Sequence, residues 1–172
     1  LGMESTETTI TIYISSINDK PNVVSKNITL DEDSEITIEL EYTDIEQLPD
    51  SNYNFIIVEQ PKHSSIFYIN RNIVYYKPQK NYNGSDSFAY KVNDGILDSN
   101  IGIINLTINS VNDKPFISSQ TIMLDMSTQH TKLIDLSYLD VDGSGNYTHT
   151  IVSIPNNGSL SDINEMGKVE YT

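Results

Sequence analysis

Self-similarity constrains this chain more than any other property. Ser16-Ile17-Asn18-Asp19-Lys20-Pro21 returns 94 residues later as Ser110-Val111-Asn112-Asp113-Lys114-Pro115. The flanks repeat with it. Residues 10–14 match 104–108, 27–31 match 121–125, 58–61 match 152–155, and 74–76 match 169–171. Asp44-Ile45-Glu46 returns as Asp140-Val141-Asp142. A fixed long period is the signature of modules strung in series. The 172 residues then divide into the last strand of a preceding repeat (1–18), one complete repeat (19–112) and an incomplete repeat (113–172). The incomplete one has no counterpart of residues 81–108. A sandwich short of its final strands leaves an open edge. The sequence is therefore expected to be part of a longer polypeptide, or to borrow strands from a neighbouring molecule.

Within the complete repeat, apolar residues alternate with polar ones. Ile36, Ile38, Leu40 and Tyr42 share one face of a strand, as do Phe88, Tyr90 and Val92. Period-two alternation broken by turn residues predicts strands. The breaks fall at Asp31-Glu32-Asp33, Leu48-Pro49-Asp50, Gln60-Pro61-Lys62, Asn70-Arg71-Asn72 and Asn93-Asp94-Gly95. Seven strands are predicted, starting near Asn22, Ser34, Tyr53, Ser64, Ile73, Asp86 and Ile101. That number in about 95 residues is the spacing of an immunoglobulin-like sandwich. The fold class is all-β, with tandem sandwiches.

Composition removes several functions. The 24 acidic and 10 basic residues leave a charge of −14, which repels phosphate backbones and argues against nucleic acid as a partner. Without cysteine there is no disulfide framework, thiolate zinc site or cysteine nucleophile. The three histidines are scattered at 63, 130 and 149. No apolar run approaches the ~18 residues of a membrane span, and no catalytic motif is found. The chain is expected not to be an enzyme. Asn-x-Ser/Thr triplets occur at Asn27, Asn83, Asn105, Asn146 and Asn157, close to the number chance gives.

The segment Tyr76-Lys77-Pro78-x-x-Asn81-Tyr82-Asn83-Gly84-Ser85-Asp86-Ser87-Phe88-x-Tyr90-x-Val92-Asn93-Asp94-Gly95, closed by Val111-Asn112-Asp113-x-Pro115, resembles the bacterial cadherin-like tandem repeats of roughly ninety-five residues. Such repeats occur in arrays in very large secreted adhesins and surface proteins. The resemblance implies seven-stranded, cadherin-like sandwiches with Greek-key connections. It also implies an extracellular or cell-surface location and a calcium-binding, structural or adhesive role. Where the complete repeat has Asp31-Glu32-Asp33, the next has Asp125-Met126-Ser127.

Topology gives an independent reason to expect calcium. In a seven-stranded sandwich the first, third and fifth turns gather at one pole, and the second, fourth and sixth at the other. Glu32, Asp33 and Asp86 then sit where the complete repeat hands over to the next. Asn112 and Asp113 lie in the linker, and Asp140 and Asp142 in a turn at the next repeat's starting pole. The equivalent set upstream is Asn18, Asp19, Asp44 and Glu46, with its remaining ligands in a preceding repeat. Like charges this close repel by several kcal/mol in the order-of-magnitude sense. A Ca2+ ion, taking roughly six to eight oxygens, removes that cost, and no thiolate or imidazole is on offer to prefer zinc. Asp140-x-Asp142-Gly143 opens like many calcium loops. Ile151 at the twelfth position excludes an EF-hand. Each of these groups also has a plainer reading as a solvated turn or a stiff proline linker.

The expected function is a structural one. Repeats form a rod whose calcium-loaded junctions hold neighbouring repeats at fixed angles, carrying an adhesin's binding end away from the cell. Its partners are neighbouring repeats and a host-cell, biofilm or glycan receptor. Two alternatives stand beside it: a filament or sheath assembled by strand exchange, and a carbohydrate-binding surface module, which requires an exposed aromatic cluster with polar neighbours.

Overall fold

The computed structural model describes every residue except 1, 4–6, 126, 128, 129 and 144–146. Residues 144–146, which end the Asp140 loop and include the Asn146 of its triplet, thus lie outside the described residues, as does Met126. The chain forms two units, Leu1–Ser110 and Val111–Thr172. Among the described residues no helix is long and apolar enough to cross a membrane.

All seven predicted strands are present in the first unit. The first is split into β1 (Asn22–Val23) and β2 (Lys26–Asp31), the second into β3 (Ile36–Glu39) and β4 (Tyr42–Thr43). Then come β5 (Asn54–Glu59), β6 (Ser64–Asn70), β7 (Ile73–Pro78), β8 (Gly84–Asn93) and β9 (Gly102–Asn109). They make a four-stranded sheet β2-β9-β8-β5 and a three-stranded sheet β3-β7-β6. This is an immunoglobulin-like β-sandwich.

The split first strand changes partner midway. β1 pairs antiparallel with β4, and β2 then pairs parallel with β9. Tyr90 fixes the crossing: its hydroxyl donates to the carbonyls of Val24 and Glu41, 3.1 Å from each. Gly102 is demanded at the same place. A Cβ there would stand 2.8 Å from Tyr90 Cε1 and 3.0 Å from Val23 Cγ2.

The core follows from the alternation. β8 contributes Phe88, Tyr90 and Val92, β9 contributes Ile104, Leu106 and Ile108, and β7 contributes Val74 and Tyr76, all buried. Each such side chain contributes about 1.5–3 kcal/mol when fully buried. The outward residues of β9, among them Asn105 and Thr107, are exposed.

The second unit repeats part of this plan. β10 (Lys132–Asp135) pairs antiparallel with β11 (Lys168–Tyr171), with Ile134 opposite Val169, as Ile38 stands opposite Val74 in the first unit. The isolated bridge Phe116–Leu139 takes the place of β1·β4. β5 of the first unit pairs only with β8, and the given second unit holds no β8 equivalent. Val152, which matches Val58 of β5, is 96% exposed, where Val58 is 48% exposed. Residues 7–18 of the first unit take part in no strand pairing found among the described residues.

Candidate metal centre

At the starting pole of the first unit, three segments converge. The linker brings Asn18 and Asp19, the turn after β4 brings Asp44 and Glu46, and the β8–β9 turn brings Asp94. Asn18 Nδ2 donates to the Asp19 carbonyl and to Asp94 Oδ2, both at 2.9 Å. The Asp19 amide donates to Glu46 Oε1 at 3.0 Å, and the Glu46 amide to Asp44 Oδ1 at 3.3 Å. Asp94 is buried. Its Oδ1 accepts from the Ile96 and Leu97 amides, 2.7 Å each. The Leu97 amide and then the Asn18 amide hold the Asp94 carboxyl below the usual carboxylate range.

One oxygen of each of two carboxylates is left over. Asp44 Oδ2 and Glu46 Oε2 are shut off from solvent with no hydrogen bond formed to either, although the Tyr53 hydroxyl lies beside the Asp44 carboxyl and is raised by burial and then by that carboxyl. None of the ion pairs found among the described residues involves Asp19, Asp44, Glu46 or Asp94; those found join Lys26–Glu41, Lys91–Asp98 and Lys168–Asp135. Burying carboxylate oxygens without a donor or a cation is costly. An oxygen-seeking divalent ion is the partner that suits them, and this donor set fits calcium. Among the described residues no three His, Cys, Asp or Glu side chains close a metal site by themselves.

The second unit builds the same scaffold. Asn112 Nδ2 donates to the Asp113 carbonyl at 2.9 Å, the Asp113 amide to Asp142 Oδ2, and the Asp142 amide to Asp140 Oδ1 at 2.9 Å. Asp140 Oδ2, however, accepts from the Tyr147 hydroxyl at 2.6 Å. That bond holds Asp140 below the ordinary aspartate value and pushes Tyr147 up to about 12. Tyr53 occupies the same place in the first unit; burial and then Asp44 raise it, and its oxygen accepts from the Leu48 amide at 3.2 Å.

These tyrosines carry a pH prediction. A hydroxyl raised in the folded state gives stability that is complete below the unfolded value near 10 and lost as pH rises through the folded one. The Tyr147 contribution is therefore expected to fade between about 10 and about 12. Absorbance titration near 295 nm should show one late tyrosinate fewer in Tyr147→Phe. A variant that instead loses a tyrosinate titrating near the ordinary value of about 10 would refute the Tyr147–Asp140 bond.

The far pole of the first unit differs. Glu32 is 5% exposed, and its amide donates to the Asn109 carbonyl at 2.9 Å. Asp33 adopts φ 58° and its Oδ1 accepts from the Asn81 amide at 3.2 Å. Asn81 Oδ1 is buried without a donor. Asp86, 8% exposed, is turned inward. Its Oδ1 accepts from the Lys62 and Ser87 amides, and its Oδ2 from the His63 amide and the Tyr76 hydroxyl, at 2.9–3.0 Å. Burial and then Asp86 hold the Tyr76 hydroxyl well above its ordinary value. The expectation that Asp86 joins a metal set meets a physical obstacle, because both of its oxygens are already taken by four donors.

Sequence reasoning did not single out Asn81, Tyr53 or Tyr147. A signal for the tyrosines was present: Asn52-Tyr53 and Asn146-Tyr147 stand at the same 94-residue spacing.

The family model for a bacterial Ig domain matches residues 18–107. The integrin beta-like protein B of Dictyostelium discoideum is 25% identical over 158 residues, covering 84% of this chain and 8% of that protein. The protocadherin GammaB4 extracellular domain aligns over 88% of this chain and 29% of its own, at 13% identity and a TM-score of 0.41. The titin domains z1z2, in complex with telethonin, align over 91% of this chain and 82% of theirs, at 10% identity and a TM-score of 0.35. The chain thus spans only a small part of the first curated relative and of the first structural one.

Proposed function

The chain belongs to the bacterial Ig domain family, and on that premise we propose that it is a calcium-stiffened, non-catalytic extender in a large secreted or cell-surface adhesin. The observation that carries the reading is the pair of buried oxygens on Asp44 and Glu46 that form no hydrogen bond, held in a loop the chain builds twice. Asn18, Asp19, Asp44 and Glu46 would hold the ion in the first unit, with Asp94 orienting Asn18. Asn112, Asp113 and Asp142 would do so in the second, with Asp140, whose two oxygens accept from the Asp142 amide and the Tyr147 hydroxyl, shaping the loop. Calcium supplies positive charge that cancels the repulsion among these carboxylates. The oxygens still missing from its roughly six to eight would come from an adjoining module of the array. A joint gripped from both sides flexes less, and a stiff array projects further.

Melting curves and small-angle scattering, in calcium and in chelator, test the reading. Calcium is expected to raise the melting temperature and narrow the distribution of lengths. Identical melting and identical scattering at saturating calcium would overturn it.

A second reading concerns residues 8–14. Residues 10–14 of the segment match 104–108 of β9 in sequence, yet Ile10, Ile12 and Ile14 are 82%, 78% and 91% exposed, where Ile104, Leu106 and Ile108 are buried. We propose that this segment is the closing strand of a sandwich outside the first unit, in the same polypeptide or in a second molecule. The scattering mass separates the two sources: strand exchange raises it with concentration.

A further inference from the structure

We propose that the outer face of the three-stranded sheet carries a binding cleft for a neutral saccharide, centred on Tyr75. The register places the residues. On β7, Tyr75 stands opposite Thr37 of β3 and opposite Tyr68 of β6. One row along, Lys77 stands opposite Ile66, and Glu35 immediately precedes β3. Residues at these alternate positions point away from the core, since Ile38, Val74 and Tyr76 are the buried ones.

The tyrosines form a platform. The rings of Tyr68 and Tyr75 are stacked, with centroids 4.5 Å apart and planes 13° from parallel. Each ring therefore turns one face to the other. Tyr68 is 53% exposed. Beside the pair, the short Thr37 side chain leaves a cleft of ≈ 440 Å³ lined by Glu35, Thr37, Ile66, Tyr68, Tyr75 and Lys77. That volume lies within the ~300–1,000 Å³ of small-molecule sites.

Charge and shape select the occupant. A chain of net charge −14 disfavours anions, and within the cleft Glu35 and Lys77 cancel, so the ligand is neutral. The wall pairs flat aromatic faces with a carboxylate, an ammonium and a hydroxyl at the rim. A pyranose ring has the matching surfaces: an apolar C–H face for stacking and an edge of hydroxyls that donate and accept. A purely apolar ligand would strand the charged rim. An added peptide strand would pair along a sheet edge rather than lie on its face. The cleft shares no residue with the candidate metal centre, so it stands or falls separately from the calcium reading.

Amide chemical-shift titration of the labelled chain, in chelator, tests the proposal with maltotriose, cellotriose, chitotriose and lactose as neutral probes. At least one probe is expected to give saturable shifts at residues 35–37, 66–68 and 75–77. Tyr75→Ala should weaken that binding about tenfold or more, equivalent to about 1.4 kcal/mol. Thr37→Phe, which fills the cleft from an exposed position, should weaken it as strongly without lowering the melting temperature. It keeps the test open should Tyr75→Ala fold poorly. No saturable shift from any probe, shifts centred elsewhere, or an affinity indifferent to Thr37→Phe would each overturn it.

Discussion

Replacing Asp86 by alanine is expected to destabilise the first unit by about 3–5 kcal/mol, whether or not calcium is present. The carboxylate binds together three pieces of chain: the turn before β6 through the Lys62 and His63 amides, β7 through the Tyr76 hydroxyl, and β8 through its own neighbour Ser87. Alanine leaves these donors without acceptors, and each buried orphan costs about 1–3 kcal/mol. Not all of that is realised, because Lys62 is exposed and water reaches its vicinity. Urea unfolding reads the loss. Adding Tyr76→Phe to Asp86→Ala should recover part of it, since one orphan is removed with its partner. A loss confined to calcium-containing buffer would instead make Asp86 a metal ligand. A loss below about 1 kcal/mol would mean that the four bonds do not hold the pole.

Asp86 also shows where sequence was informative and where it stopped. Period-two alternation located every strand of the first unit because burial on one face is a local pattern: Phe88, Tyr90 and Val92 announce β8 unaided. The Asp86-x-Phe88-x-Tyr90 spacing even marked the entry to that strand. It could not tell whether the carboxylate faces a metal or four backbone and side-chain donors, since three of the four come from residues 10 to 24 positions away. The switch of the first strand between sheets was invisible for a similar reason. It depends on Tyr90 reaching Val24 and Glu41 and on the missing Cβ of Gly102. The loop at Asp44 was more legible. Its scaffold runs between near neighbours, and its second copy at Asp140 repeats both residue types and bonds. The equivalence of Tyr53 and Tyr147 was available at the same spacing, but a tyrosine in a β-rich chain looks like core until its hydroxyl is placed.

In chelator, the double substitution Asp44→Asn with Glu46→Gln is expected to leave the chain as stable as the parent or more so, and in calcium it is expected to be the less stable of the two. The scaffold survives the change. Asn keeps an Oδ1 for the Glu46 amide, and Gln keeps an Oε1 for the Asp19 amide. What disappears is charge on two oxygens that form no hydrogen bond. Without a cation those charges only repel each other and resist desolvation, so neutralising them should gain up to about 1 kcal/mol. With a cation the balance reverses. A ligand at a hundred times its dissociation constant stabilises the folded state by about 2.7 kcal/mol, and the amide variant forgoes most of that. Paired urea curves in the two buffers therefore separate a metal site from a merely acidic turn. The crossing of the two stability orders, not the sign of either change alone, is the signature. A variant that loses stability equally in both buffers would show that Asp44 and Glu46 serve the turn and nothing else.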